Sequence, residues 1–86
     1  MMYKVNKTVA RKLFNQGKTI SLYPCKANIH SKWIEPFTIQ KDEIANTIPN
    51  QSYKTIGFDN IVNTFEAYNC NYELGMYTAY YIHEDN

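Results

Sequence analysis

The chain has 86 residues, a net charge of +1 and 44% hydrophobic side chains, which predicts one folded domain over residues 1–86 and excludes wholesale disorder. No run of about 18 apolar residues exists, so no membrane span is expected. The start, "MMYKVNKTVARKLF", is basic without an apolar core, which argues against secretion and for a cytoplasmic protein.

Residues 1–34 hold seven Lys or Arg and no acid, a net +7, whereas residues 35–86 hold eight acids and only Lys41 and Lys54, a net −6. Such a split marks either a basic face for nucleic acid, an acidic face for a basic partner, or two halves that neutralise each other on folding.

"NKTVARKLFNQG" predicts a helix capped by Asn6, with Val9, Ala10, Leu13 and Phe14 on one stripe and Gly17 as its stop. "KTISLYPCK" predicts a strand that Pro24 ends or confines to a sheet edge. "NIHS" predicts a turn, and "KWIEPFTIQ" a half-buried strand carrying Trp33, Phe37 and Ile39. Asp42 is expected to cap one helical turn through Ile44 and Ala45, and "SYKTI" to add a short strand. "FDNIVNTFEAYN" predicts a second helix with Asp59 as N-cap; Ile61, Val62, Phe65 and Tyr68 form its buried face, and Asn69 or Asn71 ends it. "ELGMYTAYYIHE" predicts a strand in the middle of a sheet, with Leu74, Met76, Thr78, Tyr80 and Ile82 on one face. Tyr77, Ala79, Tyr81 and His83 take the other face. The order α-β-β-(β)-α-β is a small α+β domain, two helices on a three- or four-stranded, mainly antiparallel sheet.

Chemistry-bearing residues are few. Cys25, His30, Cys70 and His83 are legal zinc ligands, but none of their spacings forms a short clip, so no metal and no cofactor are expected. No histidine stands beside either cysteine in the sequence, and both thiols read as buried packing. Asp42/Glu43 and Glu84/Asp85 are adjacent pairs that cannot converge on one substrate, and Glu66 and Glu73 read as solvated charge. Three isolated glycines allow no phosphate loop. The chain is therefore not expected to be an enzyme.

Binding remains. Tyrosines make up eight of thirteen aromatics, and Tyr72, Tyr77 and Tyr81 are candidate contacts for a partner protein, with Glu73, Glu84 and Asp85 supplying an acidic rim. Such a face suits a basic protein surface, including a groove that normally holds nucleic acid. The alternative is a small nucleic-acid-binding regulator that uses Lys7, Arg11, Lys12 and Lys18 on phosphates. Against it, "GMYTAYYI" lacks the register of an RNA-binding strand, and its acidic neighbours repel phosphate. An aromatic edge strand could also pair with its own copy in a homodimer.

"LFNQGKTISLYPCK" together with "FDNIVNTFEAYNCNYELGMYTAYYI" resembles small accessory proteins of phages, plasmids and other mobile elements of low-GC Gram-positive bacteria. The resemblance covers roughly residues 11–26 and 58–82 and carries over no catalytic residue. It implies an inhibitor of host defence, of the anti-CRISPR kind, that binds an effector such as a nuclease by protein–protein contact and without chemistry.

Overall fold

A computed structural model describes residues 1–26, 29–30 (backbone), 36–45 and 50–84. Its elements in chain order are β1 (Met2–Val5), α1 (Lys7–Asn15), β2 (Ile20–Lys26), β3 (Ile29–His30), β4 (Phe37–Ile39), α2 (Tyr53–Ile56), α3 (Phe58–Asn69), a 3-10 turn (Tyr72–Leu74) and β5 (Tyr77–His83). All strand pairings are antiparallel. β5 lies between β1 and β2, and the far flank of β2 is shared by β4 at one end and β3 at the other. The architecture is α+β, with the helices on one face of the sheet.

The helix face follows from alternation. Ile20 and Leu22 of β2 pair with Ile82 and Tyr80 of β5, and Ile39 of β4 stands beside Ile20. These five side chains are buried with Ala10 and Phe14 of α1 and Phe58, Ile61, Val62 and Phe65 of α3. Aromatic contacts knit this layer. Phe58 lies 5.4 Å from Phe14 and 6.1 Å from Tyr80 between ring centres, while Phe37 meets Tyr53 at 5.9 Å and Phe65 at 6.2 Å. Tilted and edge-on pairs of this kind add to what burial alone provides.

Local chemistry explains most element ends. Asn6 caps α1 as expected, its side chain accepting from the Val9 N–H at 2.8 Å. Gly17, at φ +93°, follows the last turn of α1 in a conformation that suits glycine. Gly57, at φ +95°, breaks the chain between α2 and α3 so that the two helices meet at an angle no continuous helix allows.

Several expectations are corrected. Met2–Val5 is a strand, paired from Met2↔His83 to Val5↔Tyr80, which brings the sheet to five strands. β2 is not ended by Pro24 and is not an edge: it runs on to Lys26 with β5 alongside. Pro24 stands where the other flank changes partner, between Leu22↔Phe37 and Cys25↔His30, so a residue without an N–H interrupts little there. "IH" of the expected turn is strand β3. Asp42 caps no helix; its N–H is held by the Gln40 side chain in a turn, and Ile44 bridges to Ser52. "YKTI" is a helix, α2, because Ser52 caps it through the Thr55 N–H. α3 starts two residues earlier than expected: Gly57 holds the cap position and Asp59 lies in the first turn. It ends on an extended Cys70 and not on a left-handed asparagine. Trp33 lies outside the described residues.

Two stability tests follow. Phe14→Ala should cost about 3–5 kcal/mol in denaturant unfolding, because the ring is fully buried between α3 and the sheet; a cost below about 1 kcal/mol would contradict this core. Burial, reinforced by the nearby Glu66 charge, pushes the Tyr80 phenol well above the usual range near 10. The folded state therefore holds this proton more tightly than the unfolded chain. Its contribution is complete below about pH 10 and is lost as pH rises toward the folded value. Stability should fall above about pH 10, and Tyr80→Phe should flatten that fall; an unchanged slope would contradict the assignment.

Candidate functional site: a tyrosine corner beside the sheet

The eight tyrosines divide by what their backbone positions allow. Tyr53 and Tyr80 are core. Tyr77 and Tyr81 alternate with Tyr80 on β5 and so lie on the sheet face opposite the helices, where both are half-buried. There Tyr81 packs edge-on against Tyr23 at 5.2 Å, and the Lys4 ammonium lies 5.9 Å above the Tyr77 ring. Among the described residues this face is a packed surface of Ser21, Tyr23, Cys25, Ala79 and the two tyrosines, with Ser21, Cys25 and Ala79 buried.

The exposed aromatic surface lies elsewhere. Tyr68 is 86% exposed and Tyr72 66%, and Leu74 is exposed beside them. The expectation that Tyr68 backs the core is overturned. In α3 the buried positions are Ile61, Val62 and Phe65, and Tyr68 falls on the last turn, where the chain is already leaving the sheet. Leu74 and Met76 likewise leave the expected core face of the last strand. The strand begins only at Tyr77, and Leu74 belongs to the 3-10 turn that Asn71 caps through the Glu73 N–H at 3.0 Å.

This corner borders a shallow, open hollow lined by residues 67–73 and Met76. Its charged lining residue is Glu73, with Glu66 one turn back on α3. Desolvation first, and the negative field of Glu66 second, push the Tyr72 phenol up. Of the six residues expected to meet a partner protein, Tyr72 and Glu73 line this hollow. Tyr77 and Tyr81 lie on the sheet face, Glu84 is exposed just past β5, and Asp85 is outside the described residues.

The basic residues fare differently. Arg11 is held by Asp59 of α3, its guanidinium Nη2 2.8 Å from the carboxylate. Lys12 and Lys18 are exposed and Lys7 is half-buried. Both partners of the Arg11–Asp59 pair are more than a third exposed, so it contributes no more than about 1 kcal/mol, yet it occupies the one arginine that could grip a phosphate.

Two arrangements bear on chemistry. The Ser21 hydroxyl lies between Thr38 Oγ1 at 2.8 Å and Nε2 of His83, a contact between residues 62 apart that no local pattern announces. Ser21 itself is fully buried, so its hydroxyl ties β2, β4 and β5 together, while His83 is half-buried and Thr38 is exposed. Burial pushes both the Cys25 and Cys70 thiols up, the opposite of what a cysteine nucleophile needs. Among the described residues no three His, Cys, Asp or Glu side chains gather as a metal site, and no helix is long and apolar enough to cross a membrane.

No family model matches the chain, and no curated protein or solved structure is significantly similar to it. What can be said of this molecule's class rests on its own geometry: a small α+β domain whose two most exposed tyrosines, Tyr68 and Tyr72, meet Glu73 at the α3–β5 corner.

Tyr68→Ser should leave the thermal unfolding free energy within about 0.5 kcal/mol of the parent, as expected of a side chain that is largely exposed. A loss above about 2 kcal/mol would return Tyr68 to the core.

Proposed function

We propose that the protein is a non-catalytic binding protein that docks the α3–β5 corner onto a basic surface of a partner protein and inhibits it by occupancy. The observation that carries this reading is the joint exposure of Tyr68, Tyr72 and Leu74 around Glu73. Tyrosine supplies large contact area at low entropic cost, and an exposed cluster of large apolar side chains commonly marks an interaction site. The sign of the partner follows from the lining of the corner, which carries Glu73 and no Lys or Arg. A nuclease effector of host defence, with its basic nucleic-acid groove, is the partner that the resemblance to mobile-element proteins favours.

The nucleic-acid reading is weaker, because Arg11 is engaged by Asp59 and the remaining cations are scattered lysines. Tagged protein would be used to recover partners from a bacterial host lysate, and any nuclease recovered would be assayed for cleavage. The expected result is inhibition by the parent protein and none by the Tyr68→Ser, Tyr72→Ser, Glu73→Gln triple variant. The reading is overturned if no specific partner is recovered. It is overturned equally if the protein instead binds DNA or RNA with affinity that collapses between about 50 and 200 mM salt and is lost when Lys7, Lys12 and Lys18 become Glu.

A further inference from the structure

We infer that the hollow at the α3–β5 corner is a receptor for one cationic side chain, preferentially an arginine, projected from the partner; this rests on the reading that the partner is met at this corner. Three independent features of the hollow have the same sign. The first is aromatic: Tyr68 and Tyr72 both line it, both are largely exposed, and among the described residues no cation lies over either ring. The negative face of a tyrosine ring attracts a cation within about 6 Å. The molecule already uses that contact internally, between Lys4 and Tyr77.

The second feature is the end of α3. A helix carries partial negative charge at its C-terminus, which a lysine or arginine in the last turn ordinarily complements. α3 has no basic residue in its last turn. The Cys70 N–H closes on Glu66 and the Asn69 side chain on Phe65. Among the described residues, no backbone N–H bonds the carbonyls of Ala67, Tyr68 or Asn69. These three residues belong to the lining of the hollow.

The third feature is carboxylate. Glu73 lines the hollow and Glu66 bears on the Tyr72 hydroxyl, with no Lys or Arg in the lining to answer either. This field disfavours an anionic ligand. A purely apolar side chain would leave the Glu73 carboxylate unanswered. A guanidinium satisfies all three features at once: its plane stacks on tyrosine while its N–H groups reach carboxylate and carbonyl oxygens. Lysine offers the charge but neither the plane nor the fork.

Two peptides decide the matter, acetyl-Gly-Arg-Gly-amide and the same peptide with neutral citrulline in place of arginine. Each would be titrated into 15N-labelled full-length protein while amide shifts are followed. The arginine peptide should move amides of residues 67–76, weaken as salt is raised, and bind about threefold to thirtyfold more tightly than the citrulline peptide, the range a cation–π contact supplies. Tyr72→Ala and Glu73→Gln should each reduce that preference, and amide spectra of the variants report whether the fold survives. Equal binding of the two peptides, or shifts confined to other surfaces, would overturn the receptor. Partner capture that needs Tyr68 and Tyr72, combined with equal peptide binding, sinks the cation receptor and leaves the docking reading standing. Arginine-selective shifts at the corner, with partner capture indifferent to it, uphold the receptor and sink the docking reading.

Discussion

Everything in this molecule hangs on the pairing of β2 with β5. Six residue pairs, from Ile20↔Ile82 to Cys25↔Tyr77, join segments that lie more than fifty positions apart in the chain. Each remaining strand adds to one of these two: β1 to β5, and β3 and β4 to β2. Ile20, Leu22, Tyr80 and Ile82 of this pair form the floor on which α1 and α3 rest. The Ser21 hydroxyl bolts its other face to Thr38 and His83. This one long-range ladder supplies the surface against which the helices are buried.

The same pairing resolves the charge split. Basic-half strands β1 and β2 flank acidic-half β5, and basic α1 reaches acidic α3 through Arg11 and Asp59. Two halves that look like a dipole in the sequence are interleaved in space. What escapes interleaving is the end of α3 and the turn after it, which follow the last lysine of the chain and have no basic neighbour in the lining of their hollow. The acidic character of the corner is what remains after the sheet has mixed everything else.

Legibility in the sequence tracked how local the deciding interaction is. Asn6, Phe14 and Gly17 announce α1 because cap, stripe and stop all lie within it. Ile61, Val62 and Phe65 announce α3 for the same reason. The period-2 pattern of Thr78, Tyr80 and Ile82 places β5 inside the sheet, and Tyr80 is core as the alternation requires. Errors cluster where tertiary context decides. Four residues such as Met2–Val5 carry too little pattern to be a strand until β5 lies beside them. Pro24 reads as a terminator unless the change of partner on its flank is known. Tyr68 extends the apolar stripe of α3 by one turn, but the sheet does not extend with it.

The corner was therefore only half legible. Tyr72 and Glu73 were recognisable as surface candidates by composition, whereas Tyr68 and Leu74 looked like core because periodicity says nothing about where a partner element stops. Tyr77 and Tyr81, conversely, have the composition of an interface but are engaged on the sheet. Only the fold separates an aromatic that finishes the structure from one that is left over.

The most direct measurement of the central claim is hydrogen exchange of the protein alone and in complex with its captured partner. The account predicts that binding slows exchange of the amides of residues 67–76 and leaves those of α1 unchanged. Protection confined to α1, around Lys7 and Lys12, with the corner unaffected, would contradict it.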